Sequence, residues 1–248
     1  MFKRGEMRIK EVSELSNINN KFFLPVVHVI NLEQTIRQLQ IAFNNNVAGV
    51  FLIGHGIRYH KLFEIYSQIR EVYPYKWIGL NCLDLRPLEL FLRIPEGVNG
   101  VWVDNAYINE ELGINEQKYP LQVKNLINKI KWKGLYFGGV AFKYQKRVNE
   151  PTLATKIACQ YMDVVTTSGP GTGKSAEPER IKMMSTTAQK YNKQIGIASG
   201  ITPKNVEDYK SVNYFLVATG ISKSFHTFNP LLVKELSDKI NKLKEGSE

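Results

Sequence analysis

A regular alternation of short apolar runs and amphipathic stretches constrains the fold of this chain more than any other feature. Six apolar runs, each long enough for one buried strand, precede two further runs that end in turns of small residues. The runs cover residues 23–29, 49–53, 77–80, 100–103, 134–142 and 163–167, and the last two open the segments 196–203 and 215–222. Strands that alternate with helices form a parallel sheet. Eight such units in 248 residues predict an α/β fold, a single closed (β/α)8 or TIM barrel, which typically needs about 250 residues.

The domain organisation follows from this count. We expect one barrel domain over residues 21–248, preceded by a short N-terminal extension, residues 1–20, that forms an arm or a helix. The hydrophobic fraction of 43% is sufficient for a sizeable core. A six-stranded doubly wound sheet is the alternative architecture.

The last two apolar runs end in closely similar turns, Ala-Ser-Gly-Ile-Thr at 198–202 and Ala-Thr-Gly-Ile-Ser at 218–222. Small residues allow a ligand to approach the backbone, and its N–H groups can then bind phosphate. In TIM barrels the phosphate frequently lies after strands 7 and 8. The predicted phosphate ligands are the N–H groups of Gly200, Ile201, Gly220 and Ile221 and the hydroxyls of Ser199 and Ser222.

Three titratable residues at predicted strand ends are candidates for catalysis, because functional groups of this fold lie where strands end. Asp104 follows strand 4 and is a candidate general acid or base. Whether a magnesium ion binds at Asp104 stays open, and no other metal or cofactor is expected. His55 lies between two glycines after strand 2, and Lys143 follows strand 5, where it could pair with phosphate. His28 at the end of strand 1 is a further candidate.

The segment 168–175, Ser-Gly-Pro-Gly-Thr-Gly-Lys-Ser, departs from the P-loop pattern at one position, where Ser168 replaces the first glycine. Glu177 and Pro178 interrupt the helix that a P-loop needs directly afterwards. We therefore expect a glycine-rich lid that reaches toward the phosphate, while nucleotide binding through Lys174 is an alternative. The predicted substrate contacts of this strand and loop are Thr166, Thr167, Gly169, Gly171, Thr172 and Gly173.

The net charge and the two cysteines limit which partners and metal sites are expected. The formal net charge is +10, and eight of the basic residues lie within residues 112–147, mostly on the polar side of a predicted helix. A solvated face explains them, so we expect no nucleic acid partner. Two cysteines without metal-ligand spacing predict neither a disulfide scaffold nor a zinc site. The chain shows neither a signal-peptide pattern nor a membrane span, so we expect a soluble, cytoplasmic protein. Whether it forms a homo-oligomer stays open.

Three segments, 163–174, 195–206 and 215–222, together resemble the BtpA family. The specific part is Ser-Gly-Ile-Thr-Pro-Lys-Asn at 199–205, and the Val-His pair of the family's opening corresponds to Val27 and His28. The resemblance implies a barrel similar to phosphate-binding (β/α)8 enzymes, and the founding member is tied to assembly of photosystem I.

The expected function is binding of a phosphorylated small molecule, such as a nucleotide, a ribose phosphate or a sugar phosphate, at the C-terminal face of the barrel. An enzyme is expected, and phosphoribosyl or glycosyl transfer, isomerisation and C–N lyase chemistry all remain open. The alternatives are a non-catalytic assembly or regulatory factor on the same fold and a P-loop-like nucleotide-binding protein.

Overall fold

Eight parallel strands form a closed barrel in chain order in the computed structural model, which describes residues 20–245. The strands are β1 (Phe22–His28), β2 (Val50–Ile53), β3 (Ile78–Asn81), β4 (Gly100–Val103), β5 (Leu135–Gly139), β6 (Val164–Ser168), β7 (Gln194–Ala198) and β8 (Tyr214–Val217). The barrel closes because β1 pairs with both β2 and β8, with Phe22 opposite Tyr214 and Val26 opposite Phe51. The prediction of a single (β/α)8 barrel is confirmed, and the six-stranded alternative is wrong.

α-Helices cover the outside of the barrel, as the amphipathic stretches predict. They span Leu32–Phe43, Tyr59–Val72, Pro87–Phe91, Lys118–Lys129, Pro151–Ala158, Pro178–Lys190 and Pro230–Glu245. A short 3-10 helix, Val206–Tyr209, stands between β7 and β8, and a hairpin of β9 (Ser222–Ser224) and β10 (Thr227–Phe228) follows β8. Within residues 20–245 no helix is both long and apolar enough to cross a bilayer. The predicted N-terminal arm, apart from residue 20, lies outside the described residues.

Aromatic side chains fill the interior of the barrel. Phe51 contacts Trp77 and Phe137 edge to face, with ring centroids 5.2 and 5.1 Å apart. Glycines on the facing strands make room for these rings. A Cβ atom added to Gly79 would lie 2.3 Å from Phe51 Cε1, and one added to Gly100 would lie 2.4 Å from Trp77 Cη2. The interior is therefore a packed core, and a ligand has to bind above it, at the mouth.

Strand β5 ends at Gly139, three residues earlier than the predicted strand 134–142. At this point β4 comes so close that a Cβ atom on Gly139 would lie 2.0 Å from the carbonyl oxygen of Asp104. The Gln145 side chain then turns the chain back, because its Nε2 donates to the carbonyl oxygens of Asp104 at 2.5 Å and of Gly139 at 3.2 Å. This turn carries Lys143 to the mouth of the barrel.

Candidate functional site

A cavity of about 260 Å³ opens at the C-terminal ends of the strands. Its floor is apolar and is formed by Val26, Ile53, Trp102, Ala198 and Leu216. Its wall carries eight of the residues that the sequence points to, which lie at the ends of strands or in the loops that follow them. Those that line the cavity are His28, His55, Asp104, Lys143, Thr172, Ser199, Gly200 and Gly220.

The turns after β7 and β8 pack directly against neighbouring backbone. Ser199 and Gly200 have positive φ angles of 81° and 74°. A Cβ atom on Gly200 would lie 2.3 Å from the backbone nitrogen of Ser175, and one on Gly220 would lie 1.8 Å from the carbonyl oxygen of Ile201. The glycines therefore hold the loops after β6, β7 and β8 together, in addition to leaving the backbone open toward the cavity.

Three of the four predicted N–H ligands, those of Gly200, Ile201 and Gly220, have no protein acceptor within the described residues. Two of them, those of Gly200 and Gly220, belong to residues that line the cavity. The fourth, Ile221 N–H, donates to the Ala218 carbonyl at 3.1 Å. The Ser222 hydroxyl donates to the same carbonyl at 2.8 Å. Ile221 and Ser222 are thus engaged within their own turn, and neither lines the cavity.

Lys143 lies beside these turns and supplies a positive charge. Its Nζ donates to the Ser199 hydroxyl at 3.0 Å and to the Thr172 hydroxyl at 3.3 Å. Its backbone N–H donates to the Ser168 hydroxyl at 2.8 Å, which fixes the loop that carries it. No carboxylate within the described residues forms a salt bridge with Lys143. The ammonium group is therefore held at the cavity wall by two hydroxyls and lies over the rings of Phe142 and Tyr144, 5.7 and 6.0 Å from their centroids.

Asp104 faces the same cavity from the end of β4. Asn81, the last residue of β3, donates from Nδ2 to Asp104 Oδ1 at 2.9 Å. Burial raises the pKa of the Asp104 carboxyl, while the Asn81 hydrogen bond and the charges of Lys143 and His55 act in the opposite direction. A carboxyl group with a raised pKa is suited to proton transfer. Sequence reasoning missed Asn81, although its place at a strand end was a usable signal.

Two histidines and a phenylalanine form the wall at β1 and β2. His28 stacks on Phe225, with ring centroids 4.0 Å apart, and its Nδ1–H donates to the Phe225 carbonyl at 2.8 Å. Burial lowers the pKa of His28, against the effect of this hydrogen bond. His55 is exposed and forms no hydrogen bond within the described part of the chain. Sequence reasoning missed Phe225, which lies in the hairpin between β9 and β10 and has no strand or helix periodicity to mark it.

The loop 168–175 crosses from β6 toward the turns after β7 and β8. Thr172 contacts Lys143 and lies 3.4 Å from the Tyr144 hydroxyl, and it is the residue of this loop that lines the cavity. Helix Pro178–Lys190 begins three residues after Ser175, so the Lys-Ser pair does not open a helix as in a P-loop.

Five predicted contacts of this region lie away from the cavity. Gly169, Gly171 and Gly173 belong to the loop but do not line the cavity, and a Cβ atom on Gly169 would lie 2.0 Å from the Lys174 carbonyl oxygen. Thr166 and Thr167 are fully buried in β6. Thr167 Oγ1 donates to the Ala141 carbonyl at 3.2 Å. The contribution of these residues is therefore to shape the loop and the barrel wall.

A metal at Asp104 finds few ligands. Within residues 20–245 no group of three or more His, Cys, Asp or Glu side chains is placed to hold a metal ion. The polar neighbour of Asp104 is the amide of Asn81, which presents its NH₂ group to the carboxylate. Magnesium in proteins is usually held by one or two carboxylates together with water and substrate phosphates, so a magnesium ion at Asp104 stays a prediction.

Comparison with known proteins identifies the architecture. No protein-family model matches the chain, and no curated protein matches it in sequence. Phosphoribosyl anthranilate isomerase from Thermus thermophilus matches in structure with a TM-score of 0.61 and 13% identity, over 89% of this chain and 98% of that chain. KGPDC from Streptococcus mutans matches with a TM-score of 0.62 and 12% identity, over 90% of this chain and 99% of that chain. At such low identity the likeness is one of fold, and it places this chain among the (β/α)8 barrel proteins.

Proposed function

We propose that this protein is an enzyme that binds a phosphorylated small molecule at the mouth of the barrel. The observation that carries the proposal is that two unpaired N–H groups, those of Gly200 and Gly220, share a cavity wall with the ammonium group of Lys143. Backbone N–H groups in a turn and a nearby cation are the groups that bind phosphate in proteins. The phosphate would displace the Ser199 and Thr172 hydroxyls as the partner of Lys143.

The reacting end of the substrate would meet Asp104. The raised pKa of the Asp104 carboxyl and its position across the cavity from the turns after β7 and β8 support a role as general acid or base. Asn81 holds the carboxyl in place, and His55 is a second group that can exchange a proton with the substrate. Isomerisation, phosphoribosyl or glycosyl transfer and C–N bond cleavage each need such a proton transfer.

The finer assignments remain part of the proposal. Membership of the BtpA family is supported by the segments 195–206 and 215–222, which form the turns after β7 and β8. Phosphoribosyl anthranilate isomerase, a barrel of the same architecture, has a name that denotes a phosphorylated substrate, in keeping with a phosphate site here. A cytoplasmic location, the lack of a nucleic acid partner and the oligomeric state stay predictions.

Replacing Lys143 by alanine is expected to weaken binding of inorganic phosphate about 10- to 100-fold, the usual worth of a hydrogen bond to a charged group. The physical reason is the loss of the cation whose Nζ lies 3.0 Å from Ser199. Isothermal titration calorimetry with inorganic phosphate measures the change.

Lys146→Ala is the matched control, because Lys146 lies three residues further along the same loop and forms an exposed salt bridge with Glu111. It is expected to bind phosphate as the wild type does. Equal phosphate affinity of the Lys143→Ala variant and the wild type would contradict the proposed site, as would wild-type protein that binds no phosphate.

A further inference from the structure

A cluster of four aromatic rings lies on the β1 and β2 side of the mouth. Phe225 stacks on His28 with an angle of 19° between the rings. His55 and His226 stand nearly perpendicular to Phe225, each with its centroid 4.9 Å away. His28 also binds the Phe225 backbone carbonyl, and His226 Nδ1 lies 3.2 Å from the His28 carbonyl oxygen. The Phe225 ring is thus held in a defined orientation by its neighbours.

Despite these contacts, Phe225 remains 46% exposed. Leu83, which lines the same cavity, is 43% exposed, and His55 is exposed as well. Large apolar surface left open to water inside a cavity with a few polar groups is typical of a ligand site. The packing of the hairpin alone does not need Phe225 to face the cavity, because the main-chain carbonyl provides the bond to His28.

The position of the ring cluster fits a ligand that starts at the turns after β7 and β8. Strand β8 pairs with β1, and β1 pairs with β2, so the cluster adjoins these turns around the rim. Asp104 lies at the end of β4, further around the same cavity. A molecule with its phosphate on the turns and its other end on Phe225 would lie along this side of the mouth, with Asp104 on the opposite wall of the same cavity.

We infer that the substrate is a phosphate monoester whose body carries a planar nitrogen heterocycle, as in a nucleoside 5′-monophosphate, and that the ring stacks on Phe225, with His55 standing beside it. This inference rests on the proposed function and narrows its substrate class. Base–aromatic stacking tolerates any planar ring, because every such ring presents a π-face. The exposed His55 imidazole offers, in addition, a hydrogen-bonding edge for a ring nitrogen or carbonyl group.

The test compares the binding of ribose 5-phosphate, adenosine 5′-monophosphate and uridine 5′-monophosphate by calorimetry. The wild type is expected to bind at least one nucleotide more tightly than ribose 5-phosphate, by a factor of about five or more, as a single base–aromatic stack provides. Phe225→Ala is expected to remove this preference without changing the affinity for ribose 5-phosphate. Phe225→Tyr, which keeps the ring, is expected to retain the preference.

Tyr75→Ala is the control, because Tyr75 is an aromatic residue with 40% exposure that does not line the cavity. Equal wild-type affinity for ribose 5-phosphate and both nucleotides overturns the inference and leaves the phosphate site standing. The inference is also overturned if Phe225→Ala lowers the affinity for all three ligands equally, or if this variant still binds a nucleotide more tightly than ribose 5-phosphate. Failure of the wild type to bind any of these compounds or inorganic phosphate overturns the proposed function itself.

Discussion

A Gly220→Ala variant is expected to lose measurable binding of inorganic phosphate and to unfold at a lower temperature than the wild type. The added Cβ atom would lie 1.8 Å from the carbonyl oxygen of Ile201, a backbone atom that moves only together with the turn after β7. That turn carries two of the three unpaired N–H groups, those of Gly200 and Ile201. The added methyl group is therefore expected to push apart the two turns of the proposed phosphate site.

The stability cost of such overpacking is about 1–3 kcal/mol. For a domain of this size, each kcal/mol corresponds to about 2–4 °C in the melting temperature. Differential scanning calorimetry and phosphate titration measure the two effects. Gly171→Ala is the control, because a Cβ atom there would have its nearest neighbour at 3.7 Å. It is expected to behave like the wild type in both measurements. Unchanged phosphate binding by Gly220→Ala would show that these turns do not hold the phosphate.

An Asp104→Asn variant is expected to lose about 10²- to 10⁴-fold in turnover, the usual contribution of a general acid or base. The same variant is expected to unfold less readily than the wild type at neutral pH. Burial raises the pKa of Asp104 above its value in the unfolded chain. Between these two values the native state holds more protons, so the free energy of unfolding falls as the pH rises through this window. Asparagine carries no charge, and it can still accept the hydrogen bond from Asn81.

Melting curves of both proteins, recorded from acidic to mildly alkaline pH, test the stability effect. The melting temperature of Asp104→Asn should exceed that of the wild type at neutral pH, and the difference should shrink as the pH falls. Asp208→Asn, at an exposed position, is the control and should show no such trend. Full turnover by Asp104→Asn would contradict the role of Asp104 as a general acid or base. A difference in melting temperature that stays the same at every pH would contradict the raised pKa of the partly buried Asp104 carboxyl.

The barrel could be predicted because each strand leaves a separate apolar signal. The length of strand 5 could not be predicted, because Val140 and Phe142 are apolar and buried, as residues of a strand would be. They lie in the loop after β5. This loop turns back after Gly139, where the backbone packs against Asp104 and the Gln145 side chain donates to the Asp104 carbonyl. This contact joins residues that are far apart in the chain, and no local pattern carries it.

The candidate site could be predicted where the residue type itself carries the information. Glycine-rich turns and a carboxylate after a strand lead to Gly200, Gly220 and Asp104. Which N–H groups remain unpaired depends on turn geometry. In the 3-10 turn Thr219–Ile221, the Ile221 N–H group donates to the Ala218 carbonyl. Phe225 was out of reach because an aromatic residue in a polar hairpin looks the same in a sequence whether or not it faces a cavity.

The tryptophan in the floor of the mouth gives the molecule an optical reporter of its own. Of the three tryptophans, Trp102 lines the cavity, whereas Trp77 packs in the barrel interior and Trp132 packs among the helices against Phe91. The indole Nε1 of Trp102 is buried and has no hydrogen-bond partner within the described residues. An anion or a stacked ring arriving above Trp102 changes the electric field and the hydration around this indole more than around the other two. Unlabelled ligands can therefore be titrated through the tryptophan emission of the native protein.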